Sequence, residues 1–108
     1  MAGPGDTFSL YDLRVVVDRV EGRAVCGLKA GDYFDVTESS RVTIPEGGHF
    51  CLFAMAAVLP LLPAKQRALE DADWLAQDQF VACPDPDERL VMRIERRELR
   101  TFVAGELT

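Results

Sequence analysis

The stretch EGGHFCLFAMAAVLPLLP, residues 46–63, narrows the choice of fold more than any other part of this chain. Within it, residues 50–62 carry only apolar side chains. A helix that crosses a bilayer needs about 20 such residues, so no membrane span is expected and the run must serve as a core element. Ala54, Met55, Ala56 and Ala57 suit a helix, and Pro60 and Pro63 end it. No polar face interrupts residues 50–59, which predicts a helix buried on all sides. His49, the chain's one histidine, and Cys51 stand at the mouth of this segment, just after the loop PEGGH.

The flanking segments read mainly as strands. In LYDLRVVVDRVEG, residues 10–22, Leu13, Val15 and Val17 alternate with Arg14, Val16 and Asp18, and the run of valines predicts a strand ending near Glu21 and Gly22. Gly31 and Asp32 make a turn before Tyr33, Phe34 and Val36, a short second strand; RVTI, residues 41–44, is a third. AKQRALEDADWLAQD, residues 64–78, predicts a second helix on the surface, with Lys65, Gln66, Arg67, Glu70 and Asp71 toward solvent and Leu69 and Trp74 toward the core. Residues 80–83 and 90–95 flank the turn PDPDE and predict a β-hairpin. The expected fold is α+β: a small single domain over residues 10–108, with a mostly antiparallel sheet of four or five strands packed on one buried apolar helix, plus a second surface helix. Residues 1–9, MAGPGDTFS, are expected to be a flexible N-terminal tail.

Charge excludes one class of partner. A net charge of −6 repels phosphate backbones, so nucleic-acid binding is not expected. The basic segment MRIERRELR has Glu95 and Glu98 inside it and reads as a solvated face. The N-terminal stretch lacks the basic and apolar regions of a secretory signal. With an odd cysteine count of three, this points to a reducing compartment, and a cytoplasmic location is expected.

Three segments carry a resemblance: VEGRAVCGLKAGDYFDV (residues 20–36), IPEGGHFCLFAMAAVLPLLPA (44–64) and VACPDPDERLVMRIER (81–96). Together they resemble a family of small, largely uncharacterised proteins. Its pattern is a Cys before a Lys-x-Gly-Asp turn, a Cys leading an apolar segment, and a Cys-Pro-Asp-Pro turn. The resemblance spans roughly residues 13–96 and implies that Cys26, Cys51 and Cys83 occupy recurring motif positions, with Lys29, Gly31 and Asp32 in the first turn and Pro84, Asp85 and Pro86 in the last. Many of those proteins carry proline after the middle cysteine, where this chain has Leu52. The resemblance implies no particular activity.

Cys26, Cys51 and Cys83 each fall at an element boundary, and such positions at one end of a small sheet can converge. Three readings of them stand open. They can be small core residues, since free cysteine is among the most buried residue types. Cys51, at a helix start, can be a nucleophile or redox thiol with His49 as its base. Or Cys26, His49, Cys51 and Cys83 can hold a zinc-like divalent metal, the donor types being right although no C-x2-C knuckle is present. Gly47, Gly48, Lys29 and Asp32 are the candidate binding residues of a small-molecule site beside them, because the glycine pair lets backbone approach a ligand and the Lys29-to-Asp32 turn walls it. Asp32, Asp35, Glu46, Asp85 and Asp87 otherwise read as acids that cap backbone in turns. The alternative function is a non-catalytic accessory module, bound to a partner protein or to a second copy of itself through surplus apolar helix surface.

Overall fold

The computed structural model describes residues 3, 5–77 and 79–106. Five strands form one antiparallel sheet: β1 (Thr7–Val20), β2 (Tyr33–Thr37), β3 (Arg41–Thr43), β4 (Gln79–Ala82) and β5 (Leu90–Val103), in the spatial order β3-β2-β1-β5-β4. Between β3 and β4 lies one helical segment of 14 residues. It comprises α1 (Leu52–Val58), a tighter 3-10 turn (Leu59–Leu61) and α2 (Leu62–Lys65). The 3-10 turn coincides with Pro60, which has no N–H for the α-helical ladder. The α+β class is that expected from sequence, and among the described residues no helix is long and apolar enough to cross a membrane.

The core follows from strand alternation. Leu13, Val15 and Val17 of β1 point to one face, where the register sets Leu13 opposite Val36, Val15 between Phe34 and Ile94, and Val17 opposite Met92. All seven are buried. The helical segment covers them with Ala54, Val58 and Leu62, whose spacing of four draws a single stripe along its surface. Phe50 closes the edge, its ring meeting Phe34 edge-on at 4.8 Å between centroids.

This geometry corrects the expectation of a helix buried on all sides. One helix on one sheet face can bury only one stripe, and Leu52 and Phe53 remain 75% and 65% exposed. The second surface helix reduces to a 3-10 turn at Trp74–Ala76, and Trp74 is exposed rather than turned to the core. The reason lies in long-range partners for the backbone after α2. The Lys65 and Arg67 carbonyls accept hydrogen bonds from Arg96 (2.9 Å each), and the Gln66 carbonyl accepts from the Tyr11 amide at 2.8 Å. Those carbonyls would otherwise have propagated a helix. The buried Lys65 ammonium then donates to the Leu75 and Gln77 carbonyls and holds the irregular segment against the domain. Asp78, the last residue of the expected helix, lies outside the described residues, as do Met1, Ala2 and Pro4 of the expected tail. Thr7, Phe8 and Ser9 of that tail are strand residues, paired with Val103, Phe102 and Thr101.

The opposite sheet face is a charged ladder. Arg14 binds both oxygens of Asp35 at 2.8 and 3.0 Å and stacks on Tyr33, while Arg93 reaches Asp18 and Glu95, and Glu95 also takes Arg97. Cross-strand ion pairs of this kind let a sheet face water.

Candidate functional site

Two hydrogen-bonded connections shape the end of the domain where the cysteines sit. The turn between β4 and β5 is closed by the Cys83 amide donating to the Leu90 carbonyl at 2.9 Å, and inside it Asp85 accepts from the Asp87 amide. Residues 21–23 run alongside this turn, their amides donating to the carbonyls of Arg89, Glu88 and Asp87. The approach is so close that a Cβ on Gly22 would stand 2.1 Å from the Asp87 carbonyl oxygen, so only glycine fits there. The chain then turns through residues 24–27, where Gly27 adopts φ +83°.

As a result Glu88 points inward. It is 3% exposed, and its Oε1 accepts a hydrogen bond from the Val25 amide at 3.2 Å. Its Oε2 is buried and has no hydrogen-bond partner among the described residues. The Sγ atoms of Cys26 and Cys51 and a Glu88 carboxylate oxygen all lie within 4.8 Å of one another. Cys51 is the N-cap of α1, buried, with its side chain making no capping bond, and Cys83 is buried at the end of β4. All three cysteines are free thiols. Burial pushes the Cys26 thiol up from its ordinary pKa, and neighbouring Cys51 pushes the same way. Burial also raises the Cys83 thiol, and Glu88 adds to the rise against a lowering hydrogen bond from the Asp85 backbone.

His49 does not enter this group. Its exposed ring donates from Nε2 to the Cys26 carbonyl at 2.7 Å, and among the described residues no hydrogen bond joins it to the Cys51 thiol. The grouping of Cys26, His49, Cys51 and Cys83 drawn from sequence therefore becomes Cys26, Cys51 and Glu88, with Cys83 next to Glu88. Glu88 escaped the sequence reading because it adjoins a turn rich in aspartates that cap backbone. The available signal was its place five residues after Cys83, across a tight hairpin turn.

The candidate binding residues do converge. Lys29, Asp32 and Tyr33 from the first turn, and Gly47, Gly48 and His49 from the loop before α1, line one cavity of about 330 Å³, with Ile44 and Pro45 as its apolar wall. Gly47 sits at φ +77°, and a Cβ on Gly48 would come 2.9 Å from the Pro45 carbonyl oxygen. Asp32 accepts from the Lys29 amide at 3.0 Å, and its other oxygen lies 3.8 Å from the Lys29 ammonium. His49 is thus shared: its ring lines the cavity, and its Nε2 reaches the carbonyl of a residue in the thiol group. A larger cavity, about 470 Å³, opens around Asp12, Arg14, Asp35, Arg96 and Arg100. Its charges already pair with one another, Arg14 with Asp35 and Arg100 with Asp12, which leaves it the weaker candidate despite its size.

No family model matches the chain, and no curated protein and no solved structure matches it.

Proposed function

We propose that this protein binds a small polar organic molecule in the cavity between the Lys29-to-Tyr33 turn and the loop that precedes α1. One observation carries the reading: two glycine-bearing loops, distant in sequence, close on a single recess that exposes an ammonium, a carboxylate and an imidazole beside an apolar wall. A few convergent polar groups against apolar lining are what small-ligand sites share, and the volume lies near the lower end of their usual range of about 300–1,000 Å³. His49 orients the ligand through its ring, which its hydrogen bond to the Cys26 carbonyl holds in place. The recurring motif positions of the three cysteines support the same end of the molecule. Free thiols fit a reducing compartment, and we place the protein in the cytoplasm on that ground.

The test is a fragment screen followed by amide chemical shifts. Binding fragments are expected to move the signals of Gly31, Gly47, Gly48 and His49, and Ile44→Trp, which fills the recess, is expected to abolish those shifts. Fragments whose effects scatter over the surface and survive Ile44→Trp would refute the reading.

A second reading, a homodimeric accessory module, draws on the exposure of Leu52 and Phe53. It requires a mass in sedimentation equilibrium that rises with concentration and that Phe53→Glu returns to the monomer value.

A further inference from the structure

We infer that Cys26, Cys51 and Glu88, with Cys83 as the fourth donor, form a binding site for a zinc-class divalent cation. The inference goes beyond the small-molecule reading, since none of these four residues lines the cavity.

The argument starts from Glu88. A carboxylate taken out of water is costly unless its charge is met, yet Glu88 is 3% exposed, has no ion pair among the described residues, and keeps one oxygen without a hydrogen bond. The surroundings of that carboxylate are thiols. Two sulfur atoms and a carboxylate oxygen within 4.8 Å of one another make a triangle of soft and hard donors of a size that a cation can close. In a tetrahedral zinc site, bond lengths of about 2.3 Å to sulfur and 2.0–2.2 Å to oxygen set the donor atoms about 3.5–3.8 Å apart, so closing on an ion needs movements of about 1 Å. Cys83, buried just past β4, feels the charge of Glu88 and supplies the remaining thiol at this end of the domain. Thiolate-rich sets of this kind favour zinc over magnesium or calcium, which take oxygen ligands. On binding, each ligating thiol gives up its proton to solvent, and the ion supplies the positive charge that the Glu88 carboxylate lacks.

The scaffold is suited to the task. The donors come from three separate pieces of backbone: the turn of residues 24–27, the start of α1 and the β4–β5 turn. The hydrogen bonds of residues 21–23 and the Val25 amide already hold the first and third together. His49 adds an outer hydrogen bond to the Cys26 carbonyl, the kind of second contact that fixes a ligand's backbone. Cys26 is only partly buried, which leaves a route in for the ion.

The test uses the full chain, reduced and freed of metal, titrated with Co²⁺ and then with Zn²⁺. The expected result is one Co²⁺ per chain with a sulfur-to-cobalt charge-transfer band that one equivalent of Zn²⁺ removes. A thiol reagent should then modify the three cysteines of the apo chain and be blocked in the zinc form. Glu88→Gln, which keeps the volume and the acceptor for the Val25 amide, should weaken zinc binding at least about ten-fold, the lower end of what even outer contacts of a metal site cost. Circular dichroism checks that this variant folds, and the wild-type titration stands without it. Absence of the charge-transfer band overturns the inference. So does a folded Glu88→Gln chain that binds zinc as tightly as wild type. A protonated-carboxyl infrared band that vanishes in Glu88→Gln, with no cobalt band, would assign Glu88 as a neutral acid among thiols and overturn it too. None of these outcomes touches the cavity, whose own test reads amide shifts around Gly47 and Gly48.

Discussion

Glu95 and Glu88 are the same residue type at two ends of one hairpin, and their surroundings could hardly differ more. On the open sheet face, Glu95 receives Arg93 at one oxygen and Arg97 at the other, beside Arg93 to Asp18 and Arg14 to Asp35. Every one of these acids meets a cation across or along the strands, in partial contact with water. At the thiol corner, Glu88 is buried, its Oε1 accepting from the Val25 amide, and the Cys26 and Cys51 sulfurs lie within 4.8 Å of its carboxylate; burial raises the thiols of Cys26 and Cys83 there. The contrast teaches where to look for chemistry. The face rich in charge is electrostatically complete, whereas the corner with a single carboxylate is not.

Zinc should separate the two regions most sharply. At a thousand times its dissociation constant, an ion that binds only the folded chain adds about 4 kcal/mol to stability. Thermal denaturation is expected to show this gain in wild type and in Glu95→Gln, and to lose most of it in Glu88→Gln; equal gains in all three chains would dissolve the contrast. In the metal-free protein the order should reverse. There, Glu88→Gln removes a buried carboxylate that has no ion pair among the described residues and keeps an acceptor for Val25. It is expected to raise unfolding stability by about 1–2 kcal/mol in urea titrations. A loss of that size instead would mean that the carboxylate is satisfied as it stands. The smallest effect belongs to the ladder. Arg14→Ala deletes a two-pronged, partly exposed ion pair and should cost about 0.5–1 kcal/mol, a cost that shrinks in concentrated salt. A larger, salt-independent cost would show that the stacking of Arg14 on Tyr33, rather than its charge, supports β2.

Thiol reactivity offers a separate check on the corner. Because burial raises the Cys26 and Cys83 thiols, less thiolate is present near neutral pH than for an ordinary cysteine. Alkylation of both should be slow there and should accelerate only as pH climbs beyond the usual thiol range. Fast alkylation of Cys26 at neutral pH would contradict that environment.

How much of this was legible in the sequence depended on whether the cause was local. The valines of β1, the Pro-Asp turn before β5 and the apolar run of the helix all act within a few residues, and the α+β class follows from them. The second helix failed because the carbonyls of residues 65–67 are claimed by Tyr11 and Arg96, partners from the opposite ends of the chain. The same holds at the site. Lys29, Asp32, Gly47 and Gly48 could be named as loop residues of the right chemistry, and Cys26, Cys51 and Cys83 as boundary thiols. His49 was grouped with Cys51 because the two are close in sequence, but its ring turns to the Cys26 carbonyl. Glu88 faces inward where residues 21–23 lie against its turn, an arrangement that needs glycine at position 22, some 66 residues away in sequence.

The pairing of β1 with β5 also sets an order of events. It runs from Thr7 opposite Val103 to Val20 opposite Leu90, joining segments that begin and end the domain. Contacts of such long sequence separation form slowly, because a large loop must close before any of them is gained. The thiol corner lies just past the Val20–Leu90 end of that ladder, where the loop to be closed is shortest, so Cys26 and Glu88 are brought together as the first pairs of the ladder form. A nascent chain with β5 still in the ribosome has two of its thiols but no assembled corner, and the corner can take up what it holds only once Leu90 has emerged and paired with Val20.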